Sequence, residues 1–308
     1  MLSSVANRLY WAGRYLERSE DMARVVRAYT QFVMDTPRGG SLGWDILIKI
    51  IDGEPAYFSR YKRVTEPNVV KFMLMDEENP GAVAESIRCA RENMRTTRDV
   101  MPEEAWELMN ELNLYVRQNV DSAIRRRGRY DFLEEVMLRN MQLDGLFDGT
   151  MNRDRSFQFI RLGRYLERCD MTTRILDAGA LLLPDEDQLP AVEISLWSNL
   201  LSSLSATSAY RRHEGPIIQP VETIDFVFNH DQFPRSVRYC LERMERVLDG
   251  FSNPGNSLLI LGSIYKRLDR FNPKRASRQQ VHKLIDQIQL ELAHLNTTIA
   301  ATWFNPEK

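Results

Sequence analysis

Cysteine and histidine are scarce in this chain of 308 residues, which has three cysteines and four histidines. The cysteines, Cys89, Cys169 and Cys240, show no Cys-x-x-Cys spacing, so the sequence predicts neither a disulfide framework nor a zinc site built on cysteine pairs. We interpret them as small buried side chains of a reducing compartment. The scattered histidines contain no His-Glu-x-x-His pattern. We therefore predict no bound metal and no cofactor.

The chain also lacks the loops that cradle nucleotide phosphates. Neither a Gly-x-x-x-x-Gly-Lys-Ser/Thr loop nor a Gly-x-Gly-x-x-Gly fingerprint occurs. Long apolar runs are missing as well, and the first 20 residues place Arg8, Arg14 and Glu17 where a signal peptide needs an apolar block. We expect a cytoplasmic protein that makes no contact with a membrane.

Neither sign of charge is in excess. Forty-one Lys and Arg stand against 43 Asp and Glu, a formal net charge of -2, so nothing in the balance points to a nucleic acid partner. The local basic run at Arg125–Arg129 could touch phosphates. We favour its interpretation as a solvated helix end that is terminated by Gly128.

What the chain does have is helical periodicity. Leu2, Leu9 and Leu16 recur at one heptad position and Val5 and Ala12 at the other, which predicts an amphipathic helix over roughly residues 3–35. A last helix is predicted over about residues 277–303. The two β-like runs, at 69–75 and 223–228, are short enough to be buried helical turns. These patterns predict an all-α fold.

One charged hexamer, Gly-Arg-Tyr-Leu-Glu-Arg, occurs twice, at 13–18 and at 163–168. Trp44 matches Trp197 at an offset of about 153, and Phe72 matches Phe226 at about 154, so the landmarks stay in order while the offset drifts. A register of about 150, aligning Ser86 with Ser236, is an open alternative. We predict a helical bundle of two tandem pseudo-symmetric repeats, residues 1–152 and 153–308, each of about five or six helices and together forming one compact unit.

The repeated helix carries an unusual face. Its heptad frame assigns Tyr15 and Leu16 to the core and places Gly13, Arg14 and Glu17 opposite. A glycine inside a helix costs about 1 kcal/mol relative to alanine, so its presence in both copies predicts close approach of a backbone or a ligand. The face gives the following candidate binding or interface residues: Asn7, Tyr10, Trp11, Arg14, Glu17, Arg18, Arg24, Arg164, Glu167, Arg168 and Arg174.

Three interpretations of these candidates are open. Glu and Arg side chains could brace the duplicated helices through buried ion pairs. Paired guanidinium groups could instead bind an anionic or zwitterionic small ligand. The mixture of aromatic and arginine side chains also suits a protein interface. None of the three assigns a catalytic residue.

Together, residues 6–24, the segments around 86–113 and residues 162–174 resemble the alpha-E family, named for an all-helical fold and a Glu-Arg motif. The resemblance runs over about residues 1–304 and puts the motif at Glu17–Arg18 and again at Glu167–Arg168. The family is bacterial, and its members are found beside or fused to circularly permuted ATP-grasp proteins and near transglutaminase-like proteins. Such ATP-grasp proteins resemble carboxylate-amine ligases.

The resemblance implies a helical accessory or partner protein that works with an ATP-grasp ligase in peptide or amide-bond synthesis or modification. The alternative is an enzyme that acts on a carboxylate-bearing amino acid or peptide at a Glu/Arg site between the duplicated helices. In that case Glu17 or Glu167 would be the general acid or base, and the arginines would orient the substrate carboxylate.

Overall fold

The protein is described by a computed structural model for residues 1–35, 43–181 and 190–305. Every regular element in these ranges is helical, which confirms the predicted all-α fold. The α-helices are α1 (Ser3–Asp35), α2 (Asp45–Ile50), α3 (Glu54–Arg60), α4 (Glu66–Met75), α5 (Val83–Arg95), α6 (Glu103–Ala123), α7 (Arg126–Thr150), α8 (Arg155–Leu181), α9 (Pro190–Ser203), α10 (Thr207–Glu214), α11 (Pro220–Asn229), α12 (Val237–Asp249), α13 (Gly255–Arg270) and α14 (Arg278–Ile299). Short 3₁₀ turns lie at Arg98–Val100 and Pro273–Arg275, and a π-helical turn, Ala300–Phe304, follows α14.

Contacts divide the chain into two units. The first comprises Met1–Val33 and Ser41–Arg164, and the second comprises Met34–Gly40 and Tyr165–Lys308. The sequence placed a boundary after residue 152, in the loop before α8, whereas the contacts place it inside α8. The first ten residues of α8 belong to the first unit because they pack against α1, as the glycine contacts described below show.

Several helices begin at side-chain caps. The Thr65 hydroxyl accepts a hydrogen bond from the backbone N–H of Asn68 at the start of α4, and Ser236 does the same for Tyr239 at the start of α12. Ser277 and Gln280 form a reciprocal capping box at the start of α14. These caps satisfy amide donors that have no carbonyl partner in the first turn of a helix.

The helix predictions for the β-like runs are confirmed, since residues 69–75 lie in α4 and residues 223–228 lie in α11. The helix predicted over residues 3–35 is α1, with the same bounds. The number of helices was underestimated, because the described residues alone form seven α-helices before α8 and seven from α8 onward. The short helices α2, α3 and α10 have six to eight residues, too few to show a hydrophobic period.

The interpretation of the basic run as a solvated helix end is confirmed for Arg125, Arg126 and Arg127, which are exposed, but it is wrong for Arg129 and for Gly128, which lies inside α7 and terminates no helix. The run lies at the start of α7, and Arg129 is almost completely buried. Its guanidinium donates to the carbonyls of Ala123 and Ile124 at 3.1 and 2.8 Å and pairs with Glu66 at 2.9 Å. Arg129 therefore satisfies the end of α6 from inside the protein.

Helix α1 is enclosed on nearly all sides. Arg14 and Glu17, which the heptad frame placed opposite the core, are 7% and 0% exposed, whereas Tyr15 is only half-buried. The assignment of Arg14 and Glu17 to a face opposite the core was therefore wrong, because neighbouring helices cover this part of α1 on that side as well. Among the described helices, none is both long enough and apolar enough to cross a membrane.

Candidate functional site

The two glycines of the repeated hexamer lie at a crossing of α1 with the first turns of α8. A Cβ on Gly13 would be 2.2 Å from the carbonyl oxygen of Ile160, and one on Gly163 would be 2.1 Å from that of Tyr10. Both distances are far inside van der Waals contact. Each glycine therefore receives a backbone carbonyl of the other helix, and the predicted close approach of a backbone is confirmed at both positions.

Next to this crossing lies a buried ion cluster, which we define as Glu17, Glu20, Arg164 and Asp144. The Arg164 Nη2 atom is 2.8 Å from Glu17 Oε2 and 3.1 Å from Glu20 Oε2, and Nη1 is 3.0 Å from Asp144 Oδ1. Glu17, Glu20 and Arg164 are each no more than 2% exposed. One guanidinium thus joins carboxylates of α1 and α7 to α8.

Two further arginines border the buried ion cluster. Arg24 pairs with Glu20 one helical turn away at 2.5 Å, as the i, i+4 spacing leads one to expect. Arg161 pairs with Asp144 at 2.5 Å and with Asp148 at 2.8 Å. Each carboxylate of the cluster therefore has at least one arginine beside it, which offsets the cost of burying its charge.

An uncharged contact supports the same packing. The fully buried Asn140 of α7 donates to the carbonyl of Val136 at 2.9 Å, and its side-chain oxygen lies 3.3 Å from the Ser19 hydroxyl of α1. Buried polar groups that are satisfied in this way restrict how two helices can pack. The cluster and this contact hold α1 in place and leave its carboxylates out of reach of a substrate.

A different part of α1 opens to solvent. A cleft of about 300 Å³ lies between α1 and α5, and we call it the α1–α5 cleft. Helix α1 contributes four of its side chains, Asn7, Arg8, Trp11 and Tyr15. Helix α5 contributes the other four, Arg88, Cys89, Glu92 and Asn93.

The α5 wall of the cleft is occupied by local ion pairs. Arg88 binds Glu85 through two hydrogen bonds of 2.7 and 2.5 Å, and Arg95 binds Glu92 in a similar way. Cys89 also donates to Glu85, at 3.3 Å. Burial and this neighbouring carboxylate raise the pKa of the Cys89 thiol above its ordinary value, so the thiol stays protonated at neutral pH and is a poor nucleophile.

Aromatic rings cover the α1 wall. The rings of Trp11 and Tyr15 are 5.4 Å apart at a shallow angle. Arg14 lies over the Trp11 ring at 5.2 Å, and Arg18 lies over the Tyr15 ring at 5.6 Å. The first-copy arginines of the hexamer therefore hold the cleft's aromatic side chains in place by cation–π contact.

A family model describes this combination of an all-helical domain and a Glu-Arg pair. The model, "Alpha-E: A predicted alpha-helical domain with a conserved ER motif", matches residues 1–304. The chain belongs to the Alpha-E family. Within this Alpha-E domain, both copies of the hexamer contain a Glu-Arg pair that fits the description.

Curated mycobacterial proteins are similar to the whole Alpha-E domain. They include Uncharacterized protein Mb2597 of Mycobacterium bovis and Uncharacterized protein Rv2567 of Mycobacterium tuberculosis, both 22% identical over 97% of this chain. The match covers 35% of each relative, so the chain spans about a third of their length. No solved structure matches the Alpha-E domain.

The residues predicted from the sequence fall into separate environments. In the first unit of the Alpha-E domain, Asn7 and Trp11 line the α1–α5 cleft, whereas Glu17 and Arg164 belong to the buried ion cluster. Tyr10 is completely buried, and its carbonyl faces Gly163. The heptad pattern places these residues on one face, but their neighbours in the fold differ.

Glu167, Arg168 and Arg174 lie in the second unit. Glu167 is 2% exposed. Arg168 donates to the carbonyl of Pro234 in the turn before α12, at 3.4 Å, and Arg174 pairs with Asp170 at 3.0 Å. Arg168 therefore contacts a loop within its own unit, and Arg174 forms the expected i, i+4 pair.

Sequence analysis missed most partners of these residues. Asn140 contacts Ser19 of α1 from 121 positions away, and Asp144 of α7 pairs with Arg164 of α8, and no local pattern marks either of them. The α5 side of the cleft was missed for the same reason. Its arginines and carboxylates are typical of an exposed helix face, so only the fold reveals that they line a cleft.

The histidines are less scattered in the Alpha-E fold than in the sequence. The rings of His213 and His230 are 4.4 Å apart. His282 lies between two carboxylates, with Nδ1 2.7 Å from Asp177 and Nε2 3.5 Å from Asp286. These three side chains are the group within the described ranges whose ligand atoms are close enough to hold a metal. Because the imidazole bridges the carboxylates through its two nitrogens, an ordinary ion pair accounts for the arrangement.

Proposed function

We propose that this Alpha-E domain is a helical accessory or partner protein that works with a circularly permuted ATP-grasp ligase in peptide or amide-bond synthesis or modification. In this role it holds the ligase or helps to bind its amino-acid or peptide substrate. The domain performs no bond-forming chemistry of its own. We place this work in the cytoplasm, where ATP is available to the ligase.

The observation that carries this proposal is the contrast between the motif charges and the cleft. Glu17, the first-copy motif carboxylate, is fully buried and held by Arg164 at 2.8 Å, so a substrate cannot reach it. The α1–α5 cleft is open, but burial raises the pKa of its thiol, Cys89, and its carboxylate, Glu92, is paired with Arg95. Such an arrangement favours binding and positioning over acid–base or nucleophilic catalysis.

The lengths of the curated relatives also support a partner role. The chain corresponds to about a third of each mycobacterial relative. A helical domain that forms one part of a longer protein is suited to bind a substrate and present it to the other domains of that protein. By analogy, we propose that this domain contributes binding surfaces and that another protein contributes the nucleotide chemistry.

We also propose that the fold arose by duplication of a helical unit. From Trp11 to Ala28, the burial of each residue repeats at the position 150 residues later, from Arg161 to Ala178, with Glu20 and Asp170 as the one difference. This agreement would be unusual for two unrelated helices. It supports the 150-residue offset for α1 and α8.

The shorter helices support a larger offset. The buried Tyr57 contacts the Phe72 ring at 5.2 Å, and the buried Tyr210 contacts the Phe226 ring at 5.6 Å. Helices α5 and α12 begin 154 positions apart, at Val83 and Val237. An offset that grows along the chain is the pattern expected when duplicated helices keep their order and loops change length.

The alternative, an enzyme with Glu17 as general acid or base, has less support. A general base must come within about 3 Å of the proton that it removes, either directly or through one water. The Glu17 carboxylate has no exposed surface, and the Arg164 guanidinium is already bound to it. Glu167 is similarly buried, at 2% exposure.

The test of the proposed function is reconstitution with the ATP-grasp protein of the same cells. ATP hydrolysis and amide formation are measured by mass spectrometry for each protein alone and for the mixture, and size-exclusion chromatography reports association. We expect the Alpha-E chain alone to be inactive and the mixture to associate and form more product than the ligase alone.

Two results would overturn the proposal. Turnover of ATP or of an amino-acid substrate by the purified chain alone would make it an enzyme. Failure to associate with the ligase, together with an unchanged ligase rate, would remove the partnership. Arg117→Gln changes an exposed arginine on α6, and it serves as the control for the arginine variants described below.

A further inference from the structure

One arginine that lines the α1–α5 cleft, Arg8, has no ion-pair partner among the described residues. Of its charged side chains, Arg88 is neutralised by Glu85, and Glu92 is neutralised by Arg95. Arg8 is exposed, and its guanidinium has no hydrogen bond or ion pair with any residue in the described part of the chain. Counted over its eight lining side chains, the cleft carries a charge of about +1, and Arg14 and Arg18 add positive charge behind the aromatic wall, so the cleft favours an anion.

Two amide side chains lie in the same cleft. Asn7 precedes Arg8 on α1, and Asn93 lies on the opposite wall, on α5. Neither side-chain amide has a partner among the residues that the structure describes. Each amide offers two N–H donors and one acceptor oxygen, so together with a guanidinium they can surround a small polar group.

The walls of the cleft limit the size and chemistry of the rest of the ligand, beyond its polar group. The tilted pair of Trp11 and Tyr15 gives an aromatic surface on the α1 side, and α5 closes the other side. A volume of about 300 Å³ is at the low end for small-molecule sites. It suits one or two amino-acid residues better than a nucleotide.

We propose that the α1–α5 cleft binds the carboxylate of an amino acid or of the C-terminus of a short peptide, with Arg8 as its ion-pair partner and Asn7 and Asn93 as its amide partners. A guanidinium matches a carboxylate with two parallel hydrogen bonds, and the aromatic wall accepts an apolar side chain. This proposal deepens the proposed function and rests on it for the class of ligand. The location of the site rests on the cleft and its lining residues alone.

The small number of cations that line the cleft favours binding of a carboxylate over binding of a phosphate. A phosphate ester or inorganic phosphate carries up to two negative charges and more acceptor oxygens, and sites for it usually provide several cations or backbone amides. Among the side chains that line the cleft, Arg8 is the arginine with no ion-pair partner in the described part of the chain. Burial and the Glu85 carboxylate raise the pKa of the Cys89 thiol, which makes it a poor nucleophile toward a ligand in the cleft.

The experiment is isothermal titration of the purified full-length chain. The probes are glycyl-phenylalanine, its C-terminal amide, free phenylalanine and inorganic phosphate. We expect glycyl-phenylalanine, phenylalanine or both to bind with a Kd of about 1 mM or tighter, and the amide to bind about tenfold more weakly because it lacks the charged partner of Arg8. Comparison of the dipeptide with phenylalanine identifies the source of the carboxylate.

The variant Arg8→Gln removes the free cation and keeps a polar side chain. We expect it to weaken binding of the dipeptide by about tenfold. Arg117→Gln, which removes another exposed arginine outside the cleft, should leave binding unchanged. Circular dichroism and thermal unfolding establish that both variants are folded.

Four results would overturn the inference. These are equal binding of the dipeptide and its amide, equal or tighter binding of phosphate, undiminished binding by Arg8→Gln, and no heat of binding from either carboxylate probe up to about 10 mM. Because the chain is titrated without the ligase, a failure here is distinct from a failure of the proposed partnership.

Discussion

The buried ion cluster and the α1–α5 cleft use the same helix and the same residue type in opposite ways. In the cluster, Arg164 is 1% exposed and contacts three carboxylates. In the cleft, Arg8 is exposed and contacts none among the described residues. The comparison teaches that the hexamer residues Glu17 and Arg164 stabilise the packing of α1 against α8. The Arg8 guanidinium, which has no partner among the described residues, lies outside the hexamer.

The largest expected effect comes from removing the central cation of the cluster. Arg164→Gln leaves Glu17 and Glu20 buried without it, and we expect a loss of about 3–5 kcal/mol in the free energy of unfolding. Urea unfolding followed by circular dichroism measures it. Arg117→Gln should change stability by no more than about 0.5 kcal/mol.

A double-mutant cycle sharpens this prediction. Glu17→Gln and Arg164→Gln should together cost less than the sum of the single changes, because each single change leaves a buried charge behind. Strictly additive effects, or a loss below about 1 kcal/mol for Arg164→Gln, would show that the cluster does not fasten the helices.

The next effect concerns the glycine crossing beside the cluster. Gly13→Ala forces a methyl group into the Ile160 carbonyl, so α1 and α8 must move apart, and we expect a loss of about 1–3 kcal/mol or more. Thermal unfolding measures it. Gly145→Ala in α7 is the matched control, because nothing lies within 4 Å of the added Cβ. That change should stabilise the protein by up to about 1 kcal/mol, and a stabilising Gly13→Ala would contradict the crossing.

A half-exposed ion pair in the second unit should have an intermediate effect. The hydrogen bond to Asp177 raises the pKa of His282 above its usual value of 6.5, with a smaller contribution from Asp286. The pair therefore stabilises the fold fully below pH 6.5 and loses this contribution as the pH rises through the raised pKa. We expect His282→Gln to cost a fraction of a kcal/mol at pH 5.5 and less at pH 9. A larger cost at pH 9 would reverse the assigned sign.

The smallest effect on stability is expected in the cleft. Arg8→Gln removes no contact with a described residue, so the free energy of unfolding should change by no more than about 0.5 kcal/mol. Urea unfolding beside Arg164→Gln gives the direct comparison. A loss of several kcal/mol would mean that Arg8 is structural and would erase the distinction between the two regions.

The fold was predictable where a helix is long. The heptad spacing of leucines gave α1 the bounds that the structure shows, and the two short apolar runs were assigned to helices. The glycine that begins both occurrences of the hexamer was also informative, since a residue that is unfavourable in a helix and occurs at both positions pointed to a close contact. These inferences depend on the spacing of residues along one helix, which can be read directly from the sequence.

The candidate site was less predictable because its partners are remote. The sequence named Glu17 and Arg164 but could not pair them, since their contact spans 147 positions. It also assigned Tyr15 to the core and Glu17 to the opposite face, because periodicity assumes that a helix has a solvent side. Residues that are exposed in a helical sequence pattern, such as Arg8 and Arg88, become a cleft only when α1 and α5 are packed.

The position of Arg164 limits how this chain can be shortened. A fragment that ended at residue 152, where the second half of the sequence begins, would keep Glu17 and Glu20 but discard the arginine that both of them bind. It would also discard the helix that fills the groove at Gly13. A boundary that is natural in the sequence is therefore a poor place to cut, and an autonomous first unit would have to carry the opening turns of α8 through Arg164.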